Sequence, residues 1–329
     1  MTLTDNTIKT LGVLCSGGDS PGMNAAVRSV VRSAIGLDID VYGIYRGYSG
    51  LLEGNIQKLG LPSVSNIIQR GGTILDTSRC LEFHKSEIRQ EAAHILFRKN
   101  IEGLIVIGGN GSFSGAMELH REHGIPVIGI PGTIDNDISG TDYTIGFNTA
   151  VQTAIDAVDK IRDTASAHAR TFLVEVMGHK SSSIALQVGL CTGAEYVVLS
   201  NQEVDYQAIV NTVQKGKARG KTSSIITVAE GEKAGVSYQI KDVLMDQYGM
   251  CVQVCVLGHI QRGGSPTALD RLMASEMGYA AVHALYQGQQ AHVTAFNKGA
   301  LEMVPLTRCL ERKDEPSGLS LDLINALAI

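Results

Sequence analysis

Short apolar runs alternate along this chain with longer segments in which apolar residues recur at helical spacing. The first run, Leu11–Cys15, is followed by Met23–Ile35, where apolar residues return every three or four positions. The run Leu104–Ile107 (LIVI) has no polar residue, which is typical of a strand buried on both faces. Apolar strands separated by helices predict an α/β fold of the doubly wound class, with parallel-rich sheets.

The same alternation predicts most of the remaining secondary structure. Further strands are predicted at Val41–Tyr45, Pro126–Ile130, Phe172–Val176, Ser224–Ala229 and Val252–Leu257. Further helices are predicted at Ser86–Lys99, Ser112–His123, Thr149–Ala165 and Thr267–Gln287. The segment PGTIDND that follows Ile130 is rich in turn residues, and we expect it to be a loop.

Composition narrows the class of protein. A chain of 329 residues has room for two domains or one large one. Its 28 Lys and Arg against 33 Asp and Glu give a net charge of −5, which disfavours nucleic-acid binding through a basic face. No apolar run approaches the ~18–20 residues of a membrane span, so no membrane association is expected. Six scattered cysteines form no CxxC pair, and we expect a cytoplasmic protein with reduced thiols.

Glycine-rich segments follow four of the predicted strands. In chain order they are SGGDSPG, GGNGS, PGTIDND and GHIQRGG. Ligands of doubly wound sheets bind at the carboxyl ends of the strands. We therefore expect the functional site in these four segments.

Two of the segments lead into predicted helices. The first backbone N–H groups of a helix have no partner within it, and the helix dipole favours an anion there. Ser16–Asp19 and Gly108–Ser112 are therefore candidates for binding phosphate. The alternative for the first segment is a tight turn in which Asp19 or Ser20 caps the helix.

The other two segments carry charged side chains. Thr133–Asp137 (TIDND) contains two carboxylates, one of which can act as a general base while the second orients it or binds a metal. The alternative is an Asx-turn rich in helix caps. His259 and Arg262 in GHIQRGG suit a phosphate ester, although an Arg in a Gly-rich loop is often only solvated.

Taken together, several segments resemble one family. CSGGDSPGMNAAVR, RGGTIL, IGGNGSFSGA, IPGTIDNDISGTDYTIGF, KIRDTASAHAR, VEVMG and VLGHIQRGGSPTALDR occur in the order found in bacterial ATP-dependent 6-phosphofructokinases. The resemblance runs from about Leu11 to about Gly288.

The resemblance implies two Rossmann-like domains with different ligands. Residues 1–146 plus about 260–311 would form a larger domain that binds ATP and Mg²⁺. Residues from about 147 to 259 plus 312–329 would form a smaller domain that binds fructose 6-phosphate. The implied enzyme is a glycolytic kinase and a homotetramer. An ADP-like or phosphoenolpyruvate effector would bind at its subunit contacts.

The resemblance also assigns residues to roles. Asp135 would take the proton from the sugar 1-hydroxyl, supported by Thr133 and Asp137 and by the charge of Arg79. The ATP phosphates would be lined by Gly18, Arg79, Cys80, Gly109, Asn110, Gly111 and Ser112. The sugar phosphate would be bound by Thr133, Ile134, Asp135, Arg170 from a neighbouring subunit, Met177, Gly178, His179, Glu230, Gln253, His259, Ile260, Gln261 and Arg262. The effector residues would be Arg28, Arg32, Arg162, Gly193, Glu195, Arg219 and Lys221.

Four positions depart from the family pattern, and each changes charge. Asn110 stands where the family has a magnesium-associated Asp, His179 and Gln253 stand where it has Arg, and an effector-site Arg is missing near Leu61. Losing one charge-assisted partner of a phosphate costs about 1.5–3 kcal/mol. The alternatives are an impaired nucleotide-binding or regulatory paralogue and a kinase for another phosphorylated sugar.

The residues also bear on the phosphoryl donor. Pyrophosphate-using relatives have a bulky Asp after the GGD and a Lys before TIDND, and this chain has Gly111 and Gly132 there. Small residues leave room for the α-phosphate and ribose of a nucleotide. ATP is therefore the expected donor.

Overall fold

The structure is a computed structural model that describes residues 8–168, 170–200, 202–311, 313 and 318–327. It divides into two compact units. The first comprises the described parts of Met1–Ile134, Ile138–Asn148 and Arg262–Lys313, and the second those of Asp135–Asp137, Thr149–Gln261 and Asp314–Ile329. Asp135–Asp137 thus belong to the second unit, whereas the sequence placed them in the first domain.

Twelve strands are formed within the described residues. They are β1 (Thr10–Ser16), β2 (Asp40–Ile44), β3 (Ile56–Leu59), β4 (Gly103–Gly108), β5 (Val127–Thr133), β6 (Ile145–Gly146), β7 (Thr171–Val176), β8 (Tyr196–Val198), β9 (Ser224–Ala229), β10 (Val252–Val256), β11 (His292–Asn297) and β12 (Ala300–Pro305).

Eleven helices accompany them in the same part of the chain. They are α1 (Met23–Ile35), α2 (Gly47–Leu52), α3 (Ser86–Arg98), α4 (Asn110–His123), α5 (Phe147–His168), α6 (Ser183–Thr192), α7 (Tyr206–Ala218), α8 (Val236–Tyr248), α9 (Ala268–Tyr286), α10 (Leu306–Cys309) and α11 (Gly318–Leu327). Short 3-10 helices lie at Leu61–Val64, Leu81–His84 and Gly258–Arg262. Among the described helices, none is both long and apolar enough to cross a membrane.

The first unit is built on an eight-stranded sheet in the order β12-β11-β5-β4-β1-β2-β3, with β6 paired to β5. All pairs are parallel except β2 with β3 and β11 with β12. Every residue of β4 is buried, which explains its continuous apolar run. Helices α1 and α9 pack together on the core that includes Val27, Val30 and Met277.

The second unit is built on a four-stranded parallel sheet in the order β10-β7-β9-β8. All six residues of β9 are buried, and the core includes Leu173, Ile226 and Leu244. The predicted α/β fold class with parallel-rich sheets is confirmed.

One sequence expectation was wrong in detail. The segment PGTIDND is not a loop from its first residue, because β5 continues to Thr133. Thr133 is held in the sheet by β6, since it pairs with Gly146 and its carbonyl oxygen accepts the Thr144 hydroxyl at 2.6 Å.

Candidate active site

Two neighbouring parallel strands of the first unit, β1 and β4, end side by side, with Ser16 paired to Gly108. Each is followed by a glycine-led turn into a helix: Gly22 precedes α1 and Gly109 precedes α4. Neither helix has a side-chain hydrogen bond at its N-cap. Helix N-termini without such caps favour an anion, so this edge of the sheet is a candidate phosphate site.

The two turns also contact each other. The Ser112 hydroxyl donates to the carbonyl oxygen of Ser16 at 3.0 Å. A Cβ on Gly108 would lie 2.5 Å from that same oxygen, so this close approach requires glycine. The Tyr48 hydroxyl donates to the carbonyl of Ser112 at 2.7 Å, and burial raises the pKa of Tyr48, which keeps it a donor. The structure thus brings Gly18 and Gly109–Ser112 together, as the sequence predicts.

The segment that carries Arg79 and Cys80 adjoins the turn that follows β1. The Thr77 hydroxyl donates to the carbonyl of Gly17 at 2.8 Å, and the Ser78 hydroxyl donates to that of Arg46 at 2.8 Å. Arg79 itself is exposed and Cys80 is half-buried. Sequence reasoning missed Thr77 and Ser78, although two hydroxyl residues directly before a candidate Arg are a signal for such anchoring.

The carboxylate segment begins at the end of β5, which is the neighbour of β4. A Cβ on Gly109 would lie 3.7 Å from the Cβ of Thr133, so Thr133 adjoins the turn between β4 and α4. Asp135 and Asp137 are half-buried. Ile134, which the sequence assigned to the sugar phosphate, is 0% exposed and lies in the core.

Arg262 lies beside the turn that follows β1 in the first unit. Its Nη1 donates to the carbonyl of Asp19 at 3.0 Å, and a Cβ on Gly18 would lie 2.5 Å from the same nitrogen. The sequence assigned Arg262 to the sugar phosphate. The observed position is beside the loop assigned to the nucleotide phosphates.

In the second unit, a cluster of backbone and side-chain groups forms at the carboxyl ends of β7 and β9. The N–H of Met177 donates to Oε1 of the fully buried Gln261 at 2.8 Å. The N–H of His179 donates to Oε1 of Glu230 at 3.3 Å. His179 has φ of +50°, a left-handed conformation that is uncommon outside glycine. Met177, Gly178, His179, Glu230 and Gln261 are therefore together, as predicted.

Two of the predicted sugar-phosphate residues lie at the opposite edge of that sheet. Arg170 directly precedes β7, and Gln253 pairs with Phe172 near the start of the same strand. Met177 lies five positions after Phe172 along the chain, which is about 16 Å at ~3.3 Å per residue. One chain therefore does not bring Arg170 and Gln253 to the Met177 cluster.

The remaining predicted sugar-site residues lie on the 3-10 helix Gly258–Arg262. His259 and Ile260 are both exposed there, and Ile260 is 58% exposed. An apolar side chain so exposed has no core role, and it is accessible to a ligand or another chain.

Most of the predicted effector residues form a cluster in the second unit. Arg162 donates to the carbonyls of Thr192 at 2.6 Å and Gly193 at 3.4 Å. Lys221 forms an ion pair with the buried Glu195. Arg219 is adjacent in the chain, at the end of α7. Arg28 and Arg32 lie on α1 in the first unit, and the exposed Leu61 begins a 3-10 helix there.

Gly111 and Gly132, the two glycines from which the sequence predicts ATP as the donor, have different surroundings. Around a Cβ at Gly111 nothing lies within 4 Å, so this side of the turn is open. A Cβ at Gly132 would instead lie 3.1 Å from side-chain carbons of Ile107 and Met23. Gly132 is therefore required by core packing, and the argument about space for a nucleotide rests on Gly111.

These features define an α/β protein with two glycine-led turns at the carboxyl edge of a parallel sheet and two carboxylates directly after the next strand. The family profile described as "Phosphofructokinase" matches residues 10–285. The chain belongs to the phosphofructokinase family.

Individual relatives are similar to this chain over most of its length. The chain is 51% identical over 306 residues to an ATP-dependent 6-phosphofructokinase of Halalkalibacterium halodurans, covering 93% of this chain and 95% of that one. It is 49% identical over 322 residues to ATP-dependent 6-phosphofructokinase 1 of Thermus thermophilus, covering 98% and 100%.

Solved structures show the same fold. Phosphofructokinase from Saccharomyces cerevisiae matches with a TM-score of 0.85 and 33% identity over 97% of this chain, which spans 46% of the yeast chain. A pyrophosphate-dependent phosphofructokinase from Marinobacter aquaeolei matches with a TM-score of 0.83 at 20% identity, covering 98% of this chain and 92% of that one.

Proposed function

We propose that this chain transfers the γ-phosphoryl group of ATP to the 1-hydroxyl of fructose 6-phosphate, giving fructose 1,6-bisphosphate and ADP in glycolysis. The observation that carries the proposal is the edge of the first sheet. The turn that follows β1 contacts the first turn of α4 there, neither α1 nor α4 has a side-chain cap, and the next strand leads into Asp135. Relatives at about half identity over nearly the whole chain are ATP-dependent 6-phosphofructokinases.

Phosphoryl transfer asks the protein mainly for positioning and charge stabilisation. In this proposal, backbone N–H groups of the Gly18 and Gly109–Ser112 turns bind the nucleotide phosphates. Arg79 and Arg262 stabilise negative charge there. Asp135 takes the proton of the attacking hydroxyl, and Thr133 and Asp137 orient it. The open space at Gly111 supports a nucleotide as the donor.

Magnesium fits this chain as an ion shared with the nucleotide. Among the described residues, no three His, Cys, Asp or Glu side chains cluster as metal ligands. Mg²⁺ commonly binds through one or two carboxylates together with substrate phosphates and keeps several waters. The amide oxygen of Asn110 and the carboxylate of Asp137 are the oxygen ligands that would assist it. When bound, the ion neutralises charge on the triphosphate.

The sugar phosphate is assigned to the second unit and to a neighbouring subunit. Met177, Gly178, His179 and Glu230 would contact the acceptor from the same chain, and Gln261 holds Met177 in place. Arg170 and Gln253 lie at the other edge of the sheet, so we assign them to the acceptor site of a partner copy. Such sharing requires an oligomer, and we propose the homotetramer.

Regulation is proposed at the cluster of Arg162, Gly193, Glu195, Arg219 and Lys221. The ion pair of Lys221 with Glu195 supplies a cation that an anionic effector could recruit. ADP and phosphoenolpyruvate are the two candidate effectors, and Arg28 and Arg32 would reach them from another subunit.

The direct test is release of ADP in a coupled assay with fructose 6-phosphate and Mg·ATP. Turnover that requires both substrates supports the proposal. The departures at Asn110, His179 and Gln253 favour a second candidate, a nucleotide-binding or regulatory paralogue. That candidate predicts ATP binding in a direct titration but no turnover.

A further inference from the structure

A carboxylate outside the predicted site is completely buried at the start of α9. Oδ1 of Asp270 accepts the backbone N–H of Gly146 at 2.8 Å, and its side chain is 0% exposed. The Thr267 hydroxyl lies 3.4 Å from Oδ2 and accepts the N–H of Asp270 at 3.3 Å. Asp270 therefore joins the start of α9 to the two-residue strand β6.

The strand β6 holds the end of β5 in place. Gly146 pairs with Thr133, and Ile145 pairs with Gly132. The hydroxyl of the buried Thr144 also donates a hydrogen bond of 2.6 Å to the carbonyl oxygen of Thr133. Asp135 follows Thr133 by two residues, so β6 fixes the strand end from which the proposed base emerges.

The same strand lies against the first phosphate turn. Gly146 has φ of +102°, and a Cβ there would lie 2.5 Å from the Cβ of Ser20. A Cβ on Gly22 would lie 2.6 Å from Cγ2 of Ile145. At both contacts a glycine backbone packs directly against a side chain. These contacts seat β6 beside the SGGDSPG turn, while β6 pairs with the end of β5 on its other side.

Capping of α9 does not require the carboxylate of Asp270. The Thr267 side chain already serves as the N-cap by accepting the Asp270 N–H. The bond from Asp270 to Gly146 is additional to the cap and leads away from the helix. Loss of this hydrogen bond would therefore displace β6 and would leave the cap of α9 intact.

We propose that Asp270 is a positioning residue for the phosphoryl transfer, acting through β6 on the strand end that precedes Asp135. The inference rests on the proposed function, because it supposes that Asp135 is the base. Asp270 contacts no substrate in this scheme. A misplacement of the base of about 1 Å can cost roughly a hundredfold in rate.

The test compares Asp270→Ala with Asp270→Asn. Asp270→Ala leaves the Gly146 N–H without its acceptor, and we expect kcat to fall about 10- to 100-fold while KM for ATP changes less than about threefold. The Asn side chain keeps an acceptor oxygen at the same place, and it should restore kcat to within about threefold of wild type. Equal losses in both variants, or an Asp270→Ala kcat within twofold of wild type, would overturn the proposal.

Gly278→Ala is the matched control for general damage to the α1–α9 pair. A Cβ at Gly278 would lie 2.6 Å from the Cβ of Ser29, so this variant lowers Tm without touching β6. Its kcat should stay within about twofold at temperatures well below its Tm. A kcat loss that follows Tm equally in Gly278→Ala and Asp270→Ala would make the role merely structural. If Asp270→Ala is insoluble, Thr144→Val removes the bond to Thr133 instead, with an expected kcat loss of about 3- to 10-fold.

Hydrogen exchange followed by mass spectrometry separates this inference from the proposed function. Peptides covering β5 and β6 should exchange faster in Asp270→Ala than in Gly278→Ala. Faster exchange in a protein without kinase activity would refute the proposed function and keep the link from Asp270 to β6. Unchanged exchange in an active protein would refute the link alone.

Discussion

The guanidinium group of Arg262 lies over Gly18, where a Cβ would stand 2.5 Å from Nη1. The same nitrogen donates to the carbonyl of Asp19 at 3.0 Å. Glycine at position 18 is therefore what allows this cation to approach the turn. Gly18 is exposed, and in the proposed function its N–H and the guanidinium bind the same phosphate.

Gly18→Ala should weaken use of ATP because its methyl group displaces the guanidinium. Losing one charge-assisted contact costs about 1.5–3 kcal/mol, so we expect kcat/KM for ATP to fall about 10- to 100-fold. Gly263→Ala is the control: it neighbours Arg262, and a Cβ there meets nothing within 4 Å. Equal kinetics in the two variants would separate Arg262 from the nucleotide.

Asp135→Asn should abolish turnover and leave nucleotide binding nearly unchanged. The amide keeps the shape of the side chain but cannot accept the hydroxyl proton, and such groups contribute about 10²–10⁴ in rate. Single-turnover kinetics and an ATP titration measure the two effects. Asp137→Asn should lower kcat less than Asp135→Asn does, because Asp137 only orients the base in the proposed function. A kcat above about a tenth of wild type would remove Asp135 from the role of base.

Gln253→Arg should lower KM for fructose 6-phosphate about tenfold with little change in kcat. A guanidinium supplies two parallel charge-assisted bonds to a phosphate, whereas an amide supplies a neutral donor. His179→Arg should act more on kcat, because a cation beside Glu230 at the carboxyl edge of the sheet would stabilise charge on the transferring phosphoryl group. Lower activity in both variants would mean that the acceptor is a different sugar phosphate.

Gly111→Asp should raise KM for ATP about tenfold or more. The carboxylate would occupy the open side of the turn and repel the phosphates, whereas Gly111→Asn adds the same bulk without charge and should raise KM less. Wild type should use pyrophosphate poorly as a donor. Comparable forward rates with pyrophosphate and ATP would contradict the space argument at Gly111.

Stability should depend on pH through the Arg89–Glu122 pair. Hydrogen bonding from Arg89 lowers the pKa of Glu122, and the buried guanidinium also donates to the carbonyl of Phe83 at 2.9 Å. A carboxylate with a lowered pKa stabilises the fold above its usual pKa, and this contribution is lost as the pH falls. We expect Glu122→Gln to cost about 1–3 kcal/mol at pH 7.

Thermal unfolding from about pH 7 to pH 4 measures this effect. The difference in Tm between wild type and Glu122→Gln should shrink as the pH falls. Glu118→Gln is the control, because Glu118 pairs with Arg121 at the surface, where ion pairs contribute little. A Tm difference that stays constant over the range would show that Glu122 acts through packing alone.

The long periodic elements could be predicted from the sequence, and the short edge strands could not. Helix α1 has the predicted bounds Met23–Ile35, and β9 has the predicted bounds Ser224–Ala229. The missed strand β3 has only four residues, two of them exposed, and pairs antiparallel at the sheet edge. Its pattern carries neither the apolar run nor the alternation by which strands are recognised.

The site was predictable wherever strand ends determine it. Ser16 and Gly108 are neighbours because β1 and β4 are parallel and adjacent, which the fold class implies. Gln253 was grouped with Met177 by motif order, but it is the second residue of β10 and so lies at the start of that strand. The position of Arg262 against Gly18 depends on side-chain packing that no spacing in the sequence encodes.

The position of Arg170 and Gln253 at the start of their strands has a genetic consequence. In the proposed assembly, these residues serve a neighbour, while Asp135 serves its own chain. A cell carrying one gene copy that lacks Arg170 and another that lacks Asp135 would form mixed particles. Some sites in those particles would combine an intact base with an intact Arg170, so two inactive alleles would together support growth.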